Sequence, residues 1–166
     1  EDFGRYKRAG VNLGIGTDTT PHNMIEEMRW AAILGRVAAE DMFSVTTEDI
    51  FNAATVDGAA ALLRTDIGRL APGMKADLIL VDLTNPNMRP ARDPLRSLIY
   101  AAADRAVRDV FVDGTQVVAD GKVLTMDMES ACNRVELAQK RMMEKVPSID
   151  YAKRTIAELA PLSLLS

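Results

Sequence analysis

Apolar and polar positions alternate with different periods in different parts of the chain. A short apolar run at residues 11–16 shows little alternation, which predicts a strand covered on both faces. Between residues 20 and 64 the pattern is helical, and Pro21 suits the first turn of a helix capped by Thr20. The apolar residues that recur at about the spacing of a helix are Met24, Met28, Ala31 and Val37.

A second helix is predicted directly after the first. Thr46 is followed three residues later by Asp49, a spacing that resembles a capping box. The helix is expected to run through Ile50 and Ala54 to Leu62.

Short β-branched runs separated by turn dipeptides follow between residues 67 and 125. Asp113-Gly114 and Asp120-Gly121 are strong hairpin signals. Two prolines place residues 85–90 in a loop, and a short helix is expected at 95–103. Strands are predicted at residues 76–83, 107–112, 116–119 and 122–124, which together would form half of a sandwich.

The last part of the chain is predicted to be helical. Asp127 is suited to cap a helix that begins at Met128, and Pro147 is expected to end it. Its apolar stripe consists of Ala131, Val135, Ala138, Met142 and Val146. The tail has a weak helical pattern from Tyr151 to Ala160 and ends in Leu162, Leu164 and Leu165, which should dock on another surface or be disordered.

Composition indicates a folded piece with a core and excludes several kinds of partner. The 166 residues match one domain, and 48% of them are apolar. The net charge of −4 lacks an accompanying basic cluster, so neither nucleic acid nor an anionic membrane is an expected partner. No run approaches a membrane span, and the acidic start does not resemble a signal peptide, so a cytoplasmic location is expected. Cys132 is the only cysteine and is predicted to be a small buried hydrophobe.

Candidate chemistry lies where the first predicted strand ends. Gly16-Thr17-Asp18 would place one carboxylate at the mouth of that strand, a position where α/β barrels carry out chemistry. The plainer interpretation of Asp18 is a turn residue before a helix. His22, Asn23 and Thr19 follow as candidates for substrate contact. The plainer interpretation is a solvated imidazole for His22, a helix cap for Asn23 and, as is more common for such residues, a turn for Thr19.

Five segments together resemble the metal-dependent amidohydrolases, in the branch of cytosine, guanine and adenosine-type deaminases and triazine hydrolases. The most specific segment is 67–82, in which Gly68, Pro72, Gly73 and Lys75-Ala76-Asp77 precede an apolar run. The other segments are residues 16–18, 23–29, 46–49 and 52–55.

The resemblance implies a fold that is α/β followed by β. Residues 1–64 would hold the last strand and helix of a (β/α)8 barrel together with a linking helix. Residues 65–126 would form the C-terminal part of a small β-sandwich, and residues 127–166 would form C-terminal helices and a tail.

The resemblance also implies hydrolysis of a carbon–nitrogen or carbon–halogen bond in a small nitrogen heterocycle, with Zn²⁺ or Fe²⁺ as cofactor. Asp18 would bind or adjoin the metal and accept the proton of the attacking water. His22, Asn23 and Thr19 would contact the substrate.

Family members bind metal through histidines upstream of this aspartate, whereas this sequence contains only His22. A catalytic metal needs about three protein ligands. The chain also begins at Glu1 without methionine. We therefore expect the C-terminal part of a larger enzyme, which alone binds no metal tightly and is inactive.

Two alternatives remain open at this point. The parent could be a cyclic amidase that resembles a hydantoinase or an imidazolonepropionase, in which a bridging carboxylated lysine is common. The chain could instead be a non-catalytic assembly module. A homo-oligomer, or association with the missing N-terminal part, is expected because the predicted strand at 11–16 would expose an unpaired edge.

Overall fold

The structure is a computed structural model that describes residues 3–164. It divides into two compact units, of which the first ends at Lys122 and the second begins at Val123. Leu165, which is expected to dock on another surface or be disordered, lies outside the described residues. The three-part division at 1–64, 65–126 and 127–166 stays a prediction.

Four helices open the first unit: α1 (Phe3–Arg8), α2 (Met24–Ala39), α3 (Thr47–Ala54) and α4 (Val56–Ala61). The predicted start of α2 at Pro21 is wrong. The side-chain oxygen of Asn23 accepts the backbone N–H groups of Ile25 and Glu26, so Asn23 is the N-cap.

The predicted capping box before α3 is confirmed. The Asp49 N–H donates to Thr46 Oγ1 at 3.1 Å, and the Thr46 N–H donates to Asp49 Oδ2 at 2.9 Å. The predicted single helix to Leu62 is nevertheless interrupted, because Thr55 has φ −126° and ψ −94°, outside the helical region. α3 and α4 are therefore separate helices.

Four strands form one sheet in the order β1-β2-β3-β4: β1 (Leu78–Val81), β2 (Val107–Val112), β3 (Thr115–Ala119) and β4 (Lys122–Val123). β2 pairs antiparallel with both β1 and β3. Both predicted turns are confirmed, since Asp113, Gly114, Asp120 and Gly121 all have φ between 47° and 78°. β1 is shorter than the predicted strand at 76–83.

The connection from β1 to β2 is mostly helical, although its geometry changes along its length. A 3₁₀ helix at Pro86–Met88 occupies the predicted loop, where Asn85 Oδ1 accepts the Asn87 N–H. The predicted helix at 95–103 is a composite of three short elements. These are α5 (Pro94–Ser97), a π-helix (Leu98–Ala102) and a 3₁₀ helix (Ala103–Ala106).

The core of the first unit lies between α2, α3 and this composite segment. Its largest fully buried side chains are Val45, Ile50, Met88 and Ile99. On α2, Met28 is buried as predicted, but Val37 is 68% exposed, because the inward face of the helix is formed by Ile25, Met28, Ala32 and Gly35.

Two arginines of α2 connect the helix to neighbouring backbone. Arg29 Nε donates to the carbonyl oxygen of Ile99 at 2.8 Å. Arg36 Nε donates to the carbonyl oxygen of Val45 at 3.0 Å. Hydrogen bonds from a charged donor to buried carbonyl groups stabilise this packing beyond its apolar contacts.

The Lys75-Ala76-Asp77 segment holds the hairpin turn between β2 and β3. Lys75 Nζ lies 2.6 Å from Asp113 Oδ2, and Asp77 Oδ1 accepts the Asp113 N–H at 2.7 Å. The Gly114 N–H donates to the carbonyl oxygen of Ala76 at 3.0 Å. In this structure the most specific sequence motif therefore has an architectural role.

The second unit contains α6 (Met128–Ile149) and α7 (Ile156–Leu159). Asp127 caps α6 as predicted, but Pro147 lies inside the helix. The fixed φ of proline is compatible with a helix, and the Asp150 N–H still donates to the carbonyl oxygen of Val146. Cys132 is exposed, so its predicted burial is wrong, and α6 buries none of its residues.

None of the helices within residues 3–164 has both the length and the apolar character needed to cross a bilayer.

Candidate functional site

The segment before the candidate site is held against α3 and α4. The Ile15 N–H donates to the carbonyl oxygen of Ala53, and Asn12 Nδ2 donates to that of Asp57, both at 3.0 Å. The backbone approaches closely at Gly14, where an added Cβ would lie 3.3 Å from Gly58 Cα. A glycine at each position permits this contact.

The prediction of a strand buried on both faces at residues 11–16 is wrong for this structure. Leu13, Ile15 and Thr17 are half-buried, and the residues between them are exposed. A strand needs a hydrogen-bonded neighbour along its length. The sheet formed by the described residues consists of β1 to β4 and does not include this segment.

Asp18 lies where this segment turns toward α2. Its backbone has φ +52°, in the left-handed region that aspartate enters more readily than most residues. The residue is exposed. Its carboxylate is therefore accessible to a ligand, and its role as a metal ligand or proton acceptor stays a prediction.

The structure brings Thr17 and His22 together across the turn. Thr17 Oγ1 lies 3.2 Å from His22 Nδ1, a distance suitable for a hydrogen bond. His22 itself is exposed, whereas Thr17 is half-buried. The sequence patterns singled out His22 but not Thr17, although Thr17 belongs to the same Gly-Thr-Asp motif.

Asn23 and Thr19 are placed by the same turn. The Asn23 side-chain oxygen is 3.2 Å from each of the backbone nitrogens of Ile25 and Glu26, so it is used by the helix. Thr19 is exposed, and its N–H donates to the carbonyl oxygen of Thr17. Substrate contact by either residue stays a prediction.

The donor set around Asp18 does not complete a catalytic zinc site. Such a site uses three protein ligands and keeps one position open. Within residues 3–164 no three His, Cys, Asp or Glu side chains are grouped so that they could hold a metal ion. Asp18 has the chemistry of one ligand only.

Carboxyl groups with clearly lowered pKa values belong to structural networks. A hydrogen bond from Arg108, 2.7 Å away, lowers the pKa of Asp109, with further donors from Asp120 N–H and Gln116. At Asp49, burial alone would raise the pKa, but hydrogen bonds from Lys7 and Thr46 outweigh it and the pKa is lowered. Both carboxylates serve the packing of the first unit.

Comparison with known proteins gives a consistent set of relatives. The chain is 39% identical to a 5-methylthioadenosine/S-adenosylhomocysteine deaminase of Pelotomaculum thermopropionicum, over 84% of this chain and 32% of that protein. It is 34% identical to a 5'-deoxyadenosine deaminase of Methanosarcina mazei, over 84% of this chain and 33% of that protein. The chain thus spans about a third of the length of these curated relatives.

Two solved structures are also similar to this chain. An adenosine deaminase from Xanthomonas campestris with bound zinc superposes with a TM-score of 0.78 at 35% identity, covering 83% of this chain and 33% of that one. An atrazine chlorohydrolase from Arthrobacter aurescens complexed with zinc gives a TM-score of 0.73 at 24% identity, covering 81% of this chain and 31% of that one, and shows a shared fold.

The model of the amidohydrolase family matches residues 1–117, well over half of the sequence. That range contains the turn at Asp18, helices α2 to α4 and the sheet as far as Val117 in β3. The chain belongs to the amidohydrolase family.

Proposed function

We propose that this chain is part of a metal-dependent aminohydrolase that releases ammonia from the ring of an adenosine-type nucleoside. The observation that carries the proposal is the exposed carboxylate of Asp18, presented directly before the capped helix α2 in the region that matches the family. The deaminase names of the relatives support the substrate class.

We also propose where the chain belongs in the fold of the complete enzyme. Residues 11–18 and α2 would be the last strand and helix of a (β/α)8 barrel, and the sheet β1 to β4 would belong to the adjoining sandwich. The alternation of half-buried and exposed residues at 13–17 supports an extended segment that would pair with barrel strands, none of which is among the described residues. The exposed apolar residues of α2, among them Trp30, Leu34 and Val37, support a helix with further surface to pack.

In this proposal Asp18 moves protons. An ionised carboxylate is an acceptor only, so it can take a proton from water as the water oxygen bonds to the ring carbon. It then returns that proton to the exocyclic nitrogen as the carbon–nitrogen bond breaks and ammonia leaves. His22, Asn23 and Thr19 border the same turn and would contact the heterocycle.

Zinc or ferrous iron would supply polarisation of the attacking water. Because the described residues do not complete a metal site, Asp18 would contribute one ligand, and the 166-residue chain alone is proposed to hold no ion tightly.

The experiment compares the complete enzyme that carries this chain with its Asp18→Asn variant. The probes are 5'-methylthioadenosine, S-adenosylhomocysteine and 5'-deoxyadenosine, with ammonia release as the measurement. The variant keeps the size of the side chain but loses the proton acceptor, so kcat should fall by about 10²–10⁴-fold.

Asp57→Asn is the matched control, because Asp57 lies on α4 and the contact that it makes to the segment uses its backbone carbonyl group. Its kcat should remain near that of the unchanged enzyme. Ammonia release by an Asp18→Asn enzyme at the unchanged rate would remove Asp18 from the mechanism. Absence of release from all three nucleosides by the unchanged enzyme would refute the substrate class.

A further inference from the structure

The contact between Thr17 and His22 fixes one side of the imidazole ring. His22 is exposed and would otherwise be free to rotate about its side-chain bonds, whereas Thr17 is half-buried on a segment anchored to α3 and α4. The 3.2 Å contact joins the exposed ring to this anchored segment through Nδ1.

The branched side chain of threonine favours this contact. Two heavy atoms on Cβ restrict χ1 and so limit the directions that the hydroxyl can take. The hydroxyl can turn its hydrogen toward an unprotonated Nδ1 and donate to it. In a neutral imidazole the ring hydrogen is then on Nε2.

We infer that Thr17 is a positioning residue that holds His22 with Nε2–H directed away from the turn, where it donates to a ring nitrogen of the heterocyclic substrate. This inference rests on the proposed function, because it names the atom through which His22 meets the substrate. Purine rings present unprotonated nitrogens as acceptors, which matches an N–H donor. The chemistry at Asp18 is unchanged by this assignment.

The first test is spectroscopic and uses the 166-residue chain. Because His22 is the only histidine, a long-range ¹H–¹⁵N correlation spectrum contains a single imidazole pattern. At a pH where imidazole is neutral, the unchanged chain should show the Nε2–H tautomer. Thr17→Val, which keeps the branched shape but removes the hydroxyl, should move both ring nitrogens toward the averaged values of an unrestrained histidine.

Two further variants separate the hydroxyl from general effects on the turn. Thr17→Ser restores the hydroxyl and should restore the Nε2–H pattern. Thr20→Val makes the same chemical change on the same turn, and the pattern should remain that of the unchanged chain. An Nδ1–H pattern in the unchanged chain, or no difference between it and Thr17→Val, would overturn the inference and leave the role of Asp18 unaffected.

The second test is kinetic and uses the complete enzyme. Thr17→Val should lower kcat/KM for the nucleoside by about tenfold, the size of one weakened hydrogen bond, and Thr17→Ser should recover most of it. In a His22→Ala background Thr17→Val should have no further effect, because Thr17 acts through the imidazole.

Different results would contradict the positioning role of Thr17 and the proposed deaminase function. A tenfold loss from Thr17→Val that persists in the His22→Ala background would show that Thr17 acts by another route and would overturn the inference. An unchanged kcat/KM in His22→Ala alone would remove the substrate contact of His22 and the inference with it, whereas an inactive parent enzyme would refute the proposed function.

Discussion

Replacing Gly68 by alanine should be among the most damaging single changes in the first unit. Gly68 has φ +91°, where a side chain is strained, and it packs against the break between α3 and α4. An added Cβ would lie 2.9 Å from Ala59 Cβ, 3.0 Å from the carbonyl oxygen of Thr55 and 3.2 Å from Val56 Cα. None of these atoms can move aside by changing a rotamer, because two are backbone atoms and the third is the Cβ of an alanine.

The loss of stability has two parts that can be separated. An L-residue in the left-handed region costs about 1–2 kcal/mol, partly offset by about 0.4–1 kcal/mol from the reduced entropy of the unfolded chain. Overpacking against fixed atoms adds about 1–3 kcal/mol. Gly68→Ala should therefore lower the free energy of unfolding by about 1–5 kcal/mol.

Gly73 provides the matched control five residues later in the same motif. Its φ is +84°, but an added Cβ would have nothing within 4 Å, so Gly73→Ala carries only the backbone cost. The assay is urea unfolding followed by the fluorescence of Trp30, the only tryptophan, which lies on α2. With a slope of about 1–3 kcal/mol per molar urea, a difference of about 2 kcal/mol separates the two midpoints by about 1 M. Equal midpoints for the two variants would refute the steric argument.

Three other changes test the hydrogen bonds that place the helices and the sheet. Asn23→Ala removes the cap of α2 and should cost about 1 kcal/mol in urea unfolding, while Asn23→Asp should keep most of that stability. Arg29→Met keeps the aliphatic stem but removes the charged donor to the buried Ile99 carbonyl group; the expected loss is about 1.5–3 kcal/mol, and a loss below the Asn23→Ala value would contradict it. Because the pKa of Asp109 is lowered in the folded chain, its ionised form stabilises the fold above the ordinary carboxyl pKa, and this stability is lost as the pH falls through the lower folded pKa. The difference in unfolding free energy between the unchanged chain and Asp109→Asn should therefore be at its maximum at pH 7 and become smaller below about pH 4. A difference that does not depend on pH would show that the charge of Asp109 is not the cause.

Local chemistry made the turns and caps predictable. Asp-Gly pairs adopt positive φ at low cost. The dipeptides at 113–114 and 120–121 were therefore sufficient to predict the two hairpin turns. The capping box at Thr46 and the cap at Asp127 depend only on residues three positions apart. Such features need no knowledge of the rest of the chain.

Features decided by packing were not predictable in the same way. The helical period on α2 suggested Val37 as an inward residue, but which face turns inward depends on where Val45, Ile50 and Ile99 lie. The change from α-helix to π-helix at Leu98 has no local sequence signature. The prediction of a strand at 11–16 was wrong because a strand forms only when it pairs with a neighbouring strand, and no strand of the described residues pairs with this segment.

The motif most typical of the family and the residues proposed to carry the chemistry lie in different parts of the chain. The motif at 67–82 is the most specific part of the resemblance, yet Lys75 and Asp77 use their charged groups to hold the turn at Asp113. The proposed chemistry rests instead on residues 17–23, where a Gly-Thr-Asp sequence alone would carry little weight. In the proposed arrangement, the anchored segment that carries Thr17 would also orient the imidazole of His22, the only histidine of the chain. The geometry of the turn, and not the motif that identifies the family, is what the Thr17→Val and Asp18→Asn experiments examine.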